Sequence, residues 1–195
     1  MPRPYNSEKR KKQQEELRQR IVEATVILHA KKGAASTTYK DIAKKADVAI
    51  PSVYKHFPDM HSLFTACTGH AASLAPMPSL ESLAALPKLR QRITALVEMR
   101  CKVNEYFHPW LKWGGDRVVP EFISLMKHDS QATKKLINVA LSLTHKDKEP
   151  PKQTISIILL LLKYHSWACL AIEQDLPQKQ VEKYLTDAIC RIVEC

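Results

Sequence analysis

The chain has 195 residues, 45% of them hydrophobic, only four glycines, and a formal net charge of +10. That length allows one medium domain or a small domain joined to a larger one. The scarcity of glycine and of alternating apolar runs speaks against a β-rich fold or a glycine-rich phosphate loop, and the abundance of Ala, Leu, Lys, Glu and Gln favours helices.

Residues 1–20 hold seven Lys/Arg (Arg3, Lys9, Arg10, Lys11, Lys12, Arg18, Arg20) against Glu8, Glu15 and Glu16. Such an arm suits a polyanion, although taken alone it also fits a solvated terminus, and residues 1–12 are expected to be disordered. A first helix is expected from Gln13 to Lys32, with Leu17, Ile21, Ala24 and Leu28 on one face and Gly33 as its stop. A second starts after Thr38, where Thr38-x-x-Asp41 has the form of a capping box, and ends near Asp47. A third runs from Ile50 to His56 and ends at Phe57-Pro58. A fourth follows Asp59 and carries Leu63, Phe64 and Cys67.

The Pro-rich stretch 76–87 interrupts the helical pattern and reads as a linker between domains. Beyond it, helices are expected over 88–106, 120–145 (broken near Asp129-Ser130), 152–174 and 178–194. The apolar run Ile155 to Leu162 is too short to span a bilayer and is followed at once by Lys163 and His165, so no membrane partner is expected. Five cysteines (Cys67, Cys101, Cys169, Cys190, Cys195) are scattered without a C-x-x-C pair. With no secretory segment after Met1, they lead us to expect a reduced, cytoplasmic protein.

Residues 39–56 have helix-turn-helix spacing: two helical turns, a tight turn at Asp47-Val48-Ala49, and a second short helix. Ala43, Val48, Val53 and Phe57 are apolar where the helices must pack. Ile50, Pro51, Ser52, Tyr54, Lys55 and His56 are left for phosphates and base edges. Plainer roles stand beside these: Thr38 as a helix cap, and Tyr54 and His56 packing on the fourth helix.

The run Ile21-Val22-Glu23-Ala24 to Gly33, then Thr37-Thr38-Tyr39-Lys40-Asp41-Ile42-Ala43, then Ser52-Val53-Tyr54-Lys55-His56-Phe57-Pro58, resembles the DNA-binding domain of the TetR family. The resemblance covers about residues 17–64. It implies an all-α chain with an N-terminal three-helix DNA-binding domain (13–58), a connecting helix (59–75), and a larger helical dimerisation and ligand-sensing domain (88–195). It further implies that Thr38 meets a phosphate and that Ser52, Tyr54 and His56 contact DNA with Lys55 beside them. The candidate DNA-contacting residues are thus Thr37, Thr38, Tyr39, Lys40, Ala49, Ile50, Pro51, Ser52, Tyr54, Lys55 and His56. The chain departs from the family pattern at four points. Asp47 stands at the turn glycine, a replacement the left-handed conformation tolerates. Ala49 stands at the usual cap serine, Met60 at a usual lysine, and Ile50 where a polar or basic residue is usual.

In the second half, Val181, Tyr184, Leu185, Ala188 and Ile192 form an amphipathic stripe. With Ile158 and Leu162 on the preceding helix, they are the expected homodimer interface, a four-helix arrangement that resembles the family's; closing a monomeric core is the plainer alternative. A twofold dimer places two recognition helices about one DNA turn apart, roughly 34–36 Å, over a pseudo-palindromic site. Met99, Tyr106, Trp110, Trp113, Phe122, Met126, Tyr164 and Trp167 are the candidate lining of a small-molecule pocket, with a packed aromatic core as the alternative. Nearby acids (Glu98, Glu105, Asp116) admit a cation stacked on Trp.

No catalytic motif is present, and no enzyme activity or cofactor is expected. Cys67 and His70 are spaced to share a metal but lack further ligands, so no metal site is expected. An RNA partner is disfavoured because a recognition helix suits the B-form major groove. The expected function is a dimeric sequence-specific transcriptional regulator, a repressor released from its operator by a ligand. The alternative is a ligand-independent DNA-organising protein of the same fold.

Overall fold

The computed structural model describes residues 7–114, 120–144 and 150–194, with side chains from residue 8 and, in the second stretch, from residue 123. Arg3, Asp116, the Phe122 side chain, His145 and Cys195 lie outside the described residues. Every regular element described is helical. These residues fall into two compact units: those up to Leu74 with those from Lys112 to Phe122, and those from Ala75 to Leu111 with those from Ile123 onward.

The first unit contains α1 (Ser7–Lys32), α2 (Tyr39–Ala46), α3 (Ile50–His56) and α4 (Met60–Ser73). Helix α1 begins at Ser7, so the expected disorder of residues 7–12 is corrected: Lys9 to Lys12 lie on a helix, exposed. Alternation of long charged side chains costs a helix little. The core joins Ile21, Val22 and Ala24 of α1, Ile42, Ala43 and Ala46 of α2, Val53 and Phe57 at α3, and Leu63 and Cys67 of α4. Each set recurs at helical spacing, which is why three short helices of marginal stability alone hold together.

Gly33 ends α1 at φ +81°, its N–H donating to the His29 carbonyl at 2.9 Å. Trp113 also caps this end: its indole N–H donates to the Ala30 carbonyl at 3.0 Å. A Cβ on Gly33 would approach Trp113 Cγ to 3.2 Å, so both the backbone conformation and the ring favour glycine.

The second unit contains α5 (Leu80–Ala84), α6 (Leu89–Leu111), α7 (Pro120–Leu141) from Ile123 onward, α8 (Lys152–Leu161), α9 (Tyr164–Ala168) with a π-helical turn at Cys169–Glu173, and α10 (Gln178–Val193). Leu83, Ile93, Leu96, Val97, Leu136, Ile137, Ile158, Leu162, Val181, Leu185 and Ile189 share one core, and α10 packs along α6.

Three expectations change here. The Pro-rich stretch is not a plain linker: Ser79 caps α5, and Leu83 is buried in this core. Arg92 of α6, itself buried, fastens that segment. It donates from Nε to the Leu86 carbonyl, from Nη2 to the Ala84 carbonyl, and from Nη1 to the Val139 carbonyl and the Ser142 hydroxyl. Helix α7 runs unbroken through Asp129-Ser130, and the Ser130 and Thr133 hydroxyls donate back to the Met126 and Asp129 carbonyls within it. The expected single helix over 152–174 is instead bent by 45° between α8 and its successor. No single described helix is long and apolar enough to cross a membrane.

Candidate nucleic-acid interface

Thr38 N-caps α2 with a complete capping box: its hydroxyl accepts from the Asp41 N–H at 3.2 Å, and Asp41 accepts from the Thr38 N–H at 2.9 Å. Lys32 reaches Asp41 Oδ2 at 2.7 Å. The hydrogen bonds from Lys32, then from Thr38, hold the Asp41 carboxyl well below the usual carboxylate range. This fixes the start of α2, with Thr38 and Lys40 exposed there.

The turn that follows matches the sequence reading. Asp47 adopts the left-handed conformation at φ 54°, and its N–H donates to the Ala43 carbonyl. Ala49 precedes α3 without a side-chain cap, as an alanine must. Pro51 occupies the first turn of α3, where its missing N–H leaves nothing unpaired.

Helix α3 is held from one side only. Val53 and Phe57 are buried, while Ile50, Pro51, Tyr54 and Lys55 are exposed and Ser52 and His56 partly so. Tyr39 sets the angle of this helix: its hydroxyl donates to the Phe57 carbonyl at 3.0 Å, and its ring stacks on Tyr54 at 4.3 Å. Burial first, then the charge of Asp59 and the neighbouring Tyr54, raise the Tyr39 phenol further. Tyr54 is 50% exposed and its hydroxyl has no partner among the described residues, so it is held by its ring with its polar end free. The His56 pKa is lowered, by burial first and then by Lys55 and Arg18, which favours the neutral imidazole. Arg18 of α1 lies over the Phe57 ring at 4.9 Å, adding a cation next to the C-terminal end of α3. Sequence reading missed the Tyr39 bridge and Arg18, since both depend on residues distant along the chain.

One candidate leaves the interface. Thr37 is buried and its hydroxyl donates to the Gly33 carbonyl at 2.8 Å, so it closes the α1–α2 turn and presents nothing to a ligand. The other ten candidates cluster on the α2 start, the turn and the outer face of α3.

The remaining candidate residues divide differently from expectation. Trp113 belongs to the first unit, on the end of α1, and not to a pocket in the second. The indole finds an unpaired helix-terminal carbonyl there, the partner that a half-buried Trp N–H requires. Tyr106 and Trp110 adjoin on α6, 5.7 Å apart, and both are half-buried, as are Met99 and Met126. Tyr164 and Trp167 gather instead around His108, whose Nδ1 lies 2.9 Å from the Tyr164 hydroxyl. Of the expected dimer residues, Ile158, Leu162, Val181 and Leu185 are buried in the chain's own core and are unavailable to a partner. Tyr184 is exposed, and Ala188 and Ile192 are partly so. Leu160 at 64% and Ile157 at 38% are the exposed apolar residues on α8. Among the described residues, no group of three or more His, Cys, Asp or Glu is placed to hold a metal.

Residues 21–67 match the family model for bacterial regulatory proteins of the tetR family. Similar folds include a tetR-family transcriptional regulator from Streptomyces coelicolor, 19% identical, with a TM-score of 0.68 over 91% of this chain and 80% of that one. A transcriptional regulator from Rhodococcus sp. Rha1 is 15% identical, with a TM-score of 0.61 over 91% and 96% of the two chains. A third, from Aquifex aeolicus VF5, is 16% identical, with a TM-score of 0.60 over 90% and 99%. No curated protein matches the chain.

Proposed function

From the match of residues 21–67 to the tetR family model and the exposed outer face of α3, we propose that the chain is a DNA-binding transcriptional regulator of that family. From that premise we propose that it acts as a homodimeric repressor released from a pseudo-palindromic operator by a small-molecule ligand. The observation that carries the DNA-binding part is the outer face of α3: buried Val53 and Phe57 and the Tyr39 contacts anchor the helix, and Ile50, Pro51, Tyr54 and Lys55 are left exposed.

In this reading α3 enters the major groove. Thr38 and Lys40 meet the phosphate backbone at the start of α2, and Tyr54, Lys55 and Ser52 meet it or base edges. Ile50 offers a methyl-rich surface to a thymine methyl. Tyr54→Ala is expected to weaken operator binding by about 1 to 3 kcal/mol, on the scale of a lost groove contact. A gel-shift titration at fixed salt checks this, with melting temperature as the control for folding. Unchanged affinity would remove Tyr54 from the interface.

The dimer rests on the apolar residues the chain leaves uncovered, Ile157 and Leu160 on α8 and Tyr184 on α10, flanked by Ala188 and Ile192. Leu160→Glu puts a charge where a partner would bury it and is expected to weaken self-association by roughly 2 kcal/mol or more. Equilibrium sedimentation of both proteins measures the change, and a wild-type monomer at micromolar concentration would contradict the dimer.

Release follows if the ligand binds unequally to two states of the dimer, only one of which matches the groove spacing. In this reading the ligand binds in the second unit, a role supported by the half-buried aromatic pair Tyr106 and Trp110.

A further inference from the structure

Helix α1 is longer than the core it serves. The apolar cluster of the first unit takes it up only from Leu17, and every residue from Glu8 to Glu16 is exposed. At about 1.5 Å per residue, roughly 13 Å of helix therefore stands clear of the core. Its outer turn holds Lys9, Arg10, Lys11 and Lys12, whereas Glu15 and Glu16 lie nearer the core. Among the described residues Lys11 makes no ion pair with Glu15 one turn on, and Lys ahead of Glu is the weaker order for such a pair.

Arg18 shows where this stem passes α3. Its guanidinium lies over the Phe57 ring at 4.9 Å, at the C-terminal end of α3. Beyond burial and Lys55, the charges that act on His56, the last residue of α3, are those of Arg18 and Glu15. Lys11 is seven residues before Arg18 and so on the same stripe of α1, the side that Arg18 turns toward α3. It stands about 10 Å further along the helix axis, with Arg10 and Lys12 on either flank.

Helix α3 is anchored by Val53 and Phe57 and turns Ile50, Pro51, Tyr54 and Lys55 outward. A duplex read by that outer face lies on the side of α1 that carries Arg18 and Lys11. The B-form major groove is about 8.5 Å deep, and packed helices lie about 8–10 Å apart. With α3 seated in the groove, the phosphate ridge at its edge therefore rises to about the level of α1. The stem runs past the end of α3 at that level.

We propose that the outer turn of α1, with Lys11 at its centre, is a second DNA contact that grips the phosphate ridge bordering the groove entered by α3. This rests on the DNA-binding reading above and adds to it a phosphate site outside the helix-turn-helix. Such a contact sets affinity and its salt dependence and carries no sequence information.

The test titrates the full chain by fluorescence anisotropy on two duplexes of equal length, one from upstream of its own gene and one scrambled, between about 50 and 200 mM salt. In Lys11→Gln the slope of log affinity against log salt is expected to become shallower by about one for each bound subunit. Affinity for both duplexes falls by the same factor, so the preference between them is kept. Lys11→Arg is expected to retain the wild-type slope. Lys179→Gln removes the same charge from an exposed site in the second unit and is expected to leave the slope unchanged. Melting temperature controls for folding. A wild-type slope in Lys11→Gln, with upstream DNA still bound, would overturn this contact and leave the DNA-binding reading standing. An equal change in Lys179→Gln, or a loss confined to the upstream duplex, would also overturn it. Wild-type protein that binds neither duplex would overturn the DNA-binding reading itself, and this contact with it.

Discussion

Arg92→Met is expected to destabilise the second unit by about 2 kcal/mol or more. Arg92 is buried and has no carboxylate partner among the described residues; its donors go to three backbone carbonyls and a hydroxyl at the ends of α5 and α7. Carbonyls at a helix C-terminus have no intrahelical donor, and their partial negative charge favours a cation. Methionine fills similar volume but takes the guanidinium donors away from the Ala84 and Leu86 carbonyls, at a cost of about 1 to 3 kcal/mol for each group left unsatisfied, while the Val139 carbonyl keeps the Ser142 hydroxyl. Removing a buried charge offsets part of that. Lysine is not a substitute, because one ammonium does not reproduce a planar fork that serves three chain segments. Urea denaturation followed by circular dichroism measures the loss. A midpoint unchanged in Arg92→Met would show that the Pro-rich segment does not depend on this side chain.

The second large effect is acid sensitivity in the first unit. His29 is 5% exposed, packed 5.7 Å from the Phe64 ring, with Nδ1 3.6 Å from Cys67 Sγ and Nε2 without a partner. Burial lowers its pKa from 6.5 to about 4. Burial also pushes the Cys67 thiol up to about 12, so the sulfur stays neutral and offers the imidazolium no counter-charge. The unfolded chain therefore takes up this proton at a higher pH than the folded one. The stability is fully present above pH 6.5 and is lost as pH falls from 6.5 toward 4, on the order of 3 kcal/mol in total. His29→Leu is expected to flatten that part of the profile, whatever it does to stability at pH 7. Parallel melts of the two proteins between pH 7 and 4 test this; identical slopes would contradict it. The depressed carboxyl of Asp41 acts on the same unit only at still lower pH.

Local chemistry in the first unit was legible from the sequence because it is set by residues a few positions apart. Thr38 and Asp41 close the capping box, Asp47 takes the left-handed turn, and Ala49 leaves α3 without a side-chain cap. The second unit was less legible because periodicity names a buried stripe but not what buries it. Val181, Leu185 and Ile189 face α6 of the same chain, whereas Tyr184, one turn from Val181 and next to Leu185, is exposed. Nothing local distinguishes the two groups. Thr37 was misplaced for the opposite reason: adjacent to the exposed Thr38, it differs only in turning toward the Gly33 carbonyl. Trp113 was assigned to a pocket from its aromatic neighbours, but the acceptor it finds lies 83 residues away, at Ala30. Prolines at 76–87 predicted a linker, and only the buried Arg92 shows why the segment is fastened.

If the outer face of α3 reads DNA as one half of a symmetric pair, its two half-sites form an inverted repeat. A nuclease footprint of the purified chain on the DNA upstream of its own gene tests this most directly, run at several salt concentrations. The expected result is a protected inverted repeat with half-sites about one helical turn apart, or a multiple of it, that survives moderate salt. Protection that is diffuse and disappears uniformly as salt rises would mean that binding is to phosphate alone, and it would contradict sequence-specific recognition by this helix.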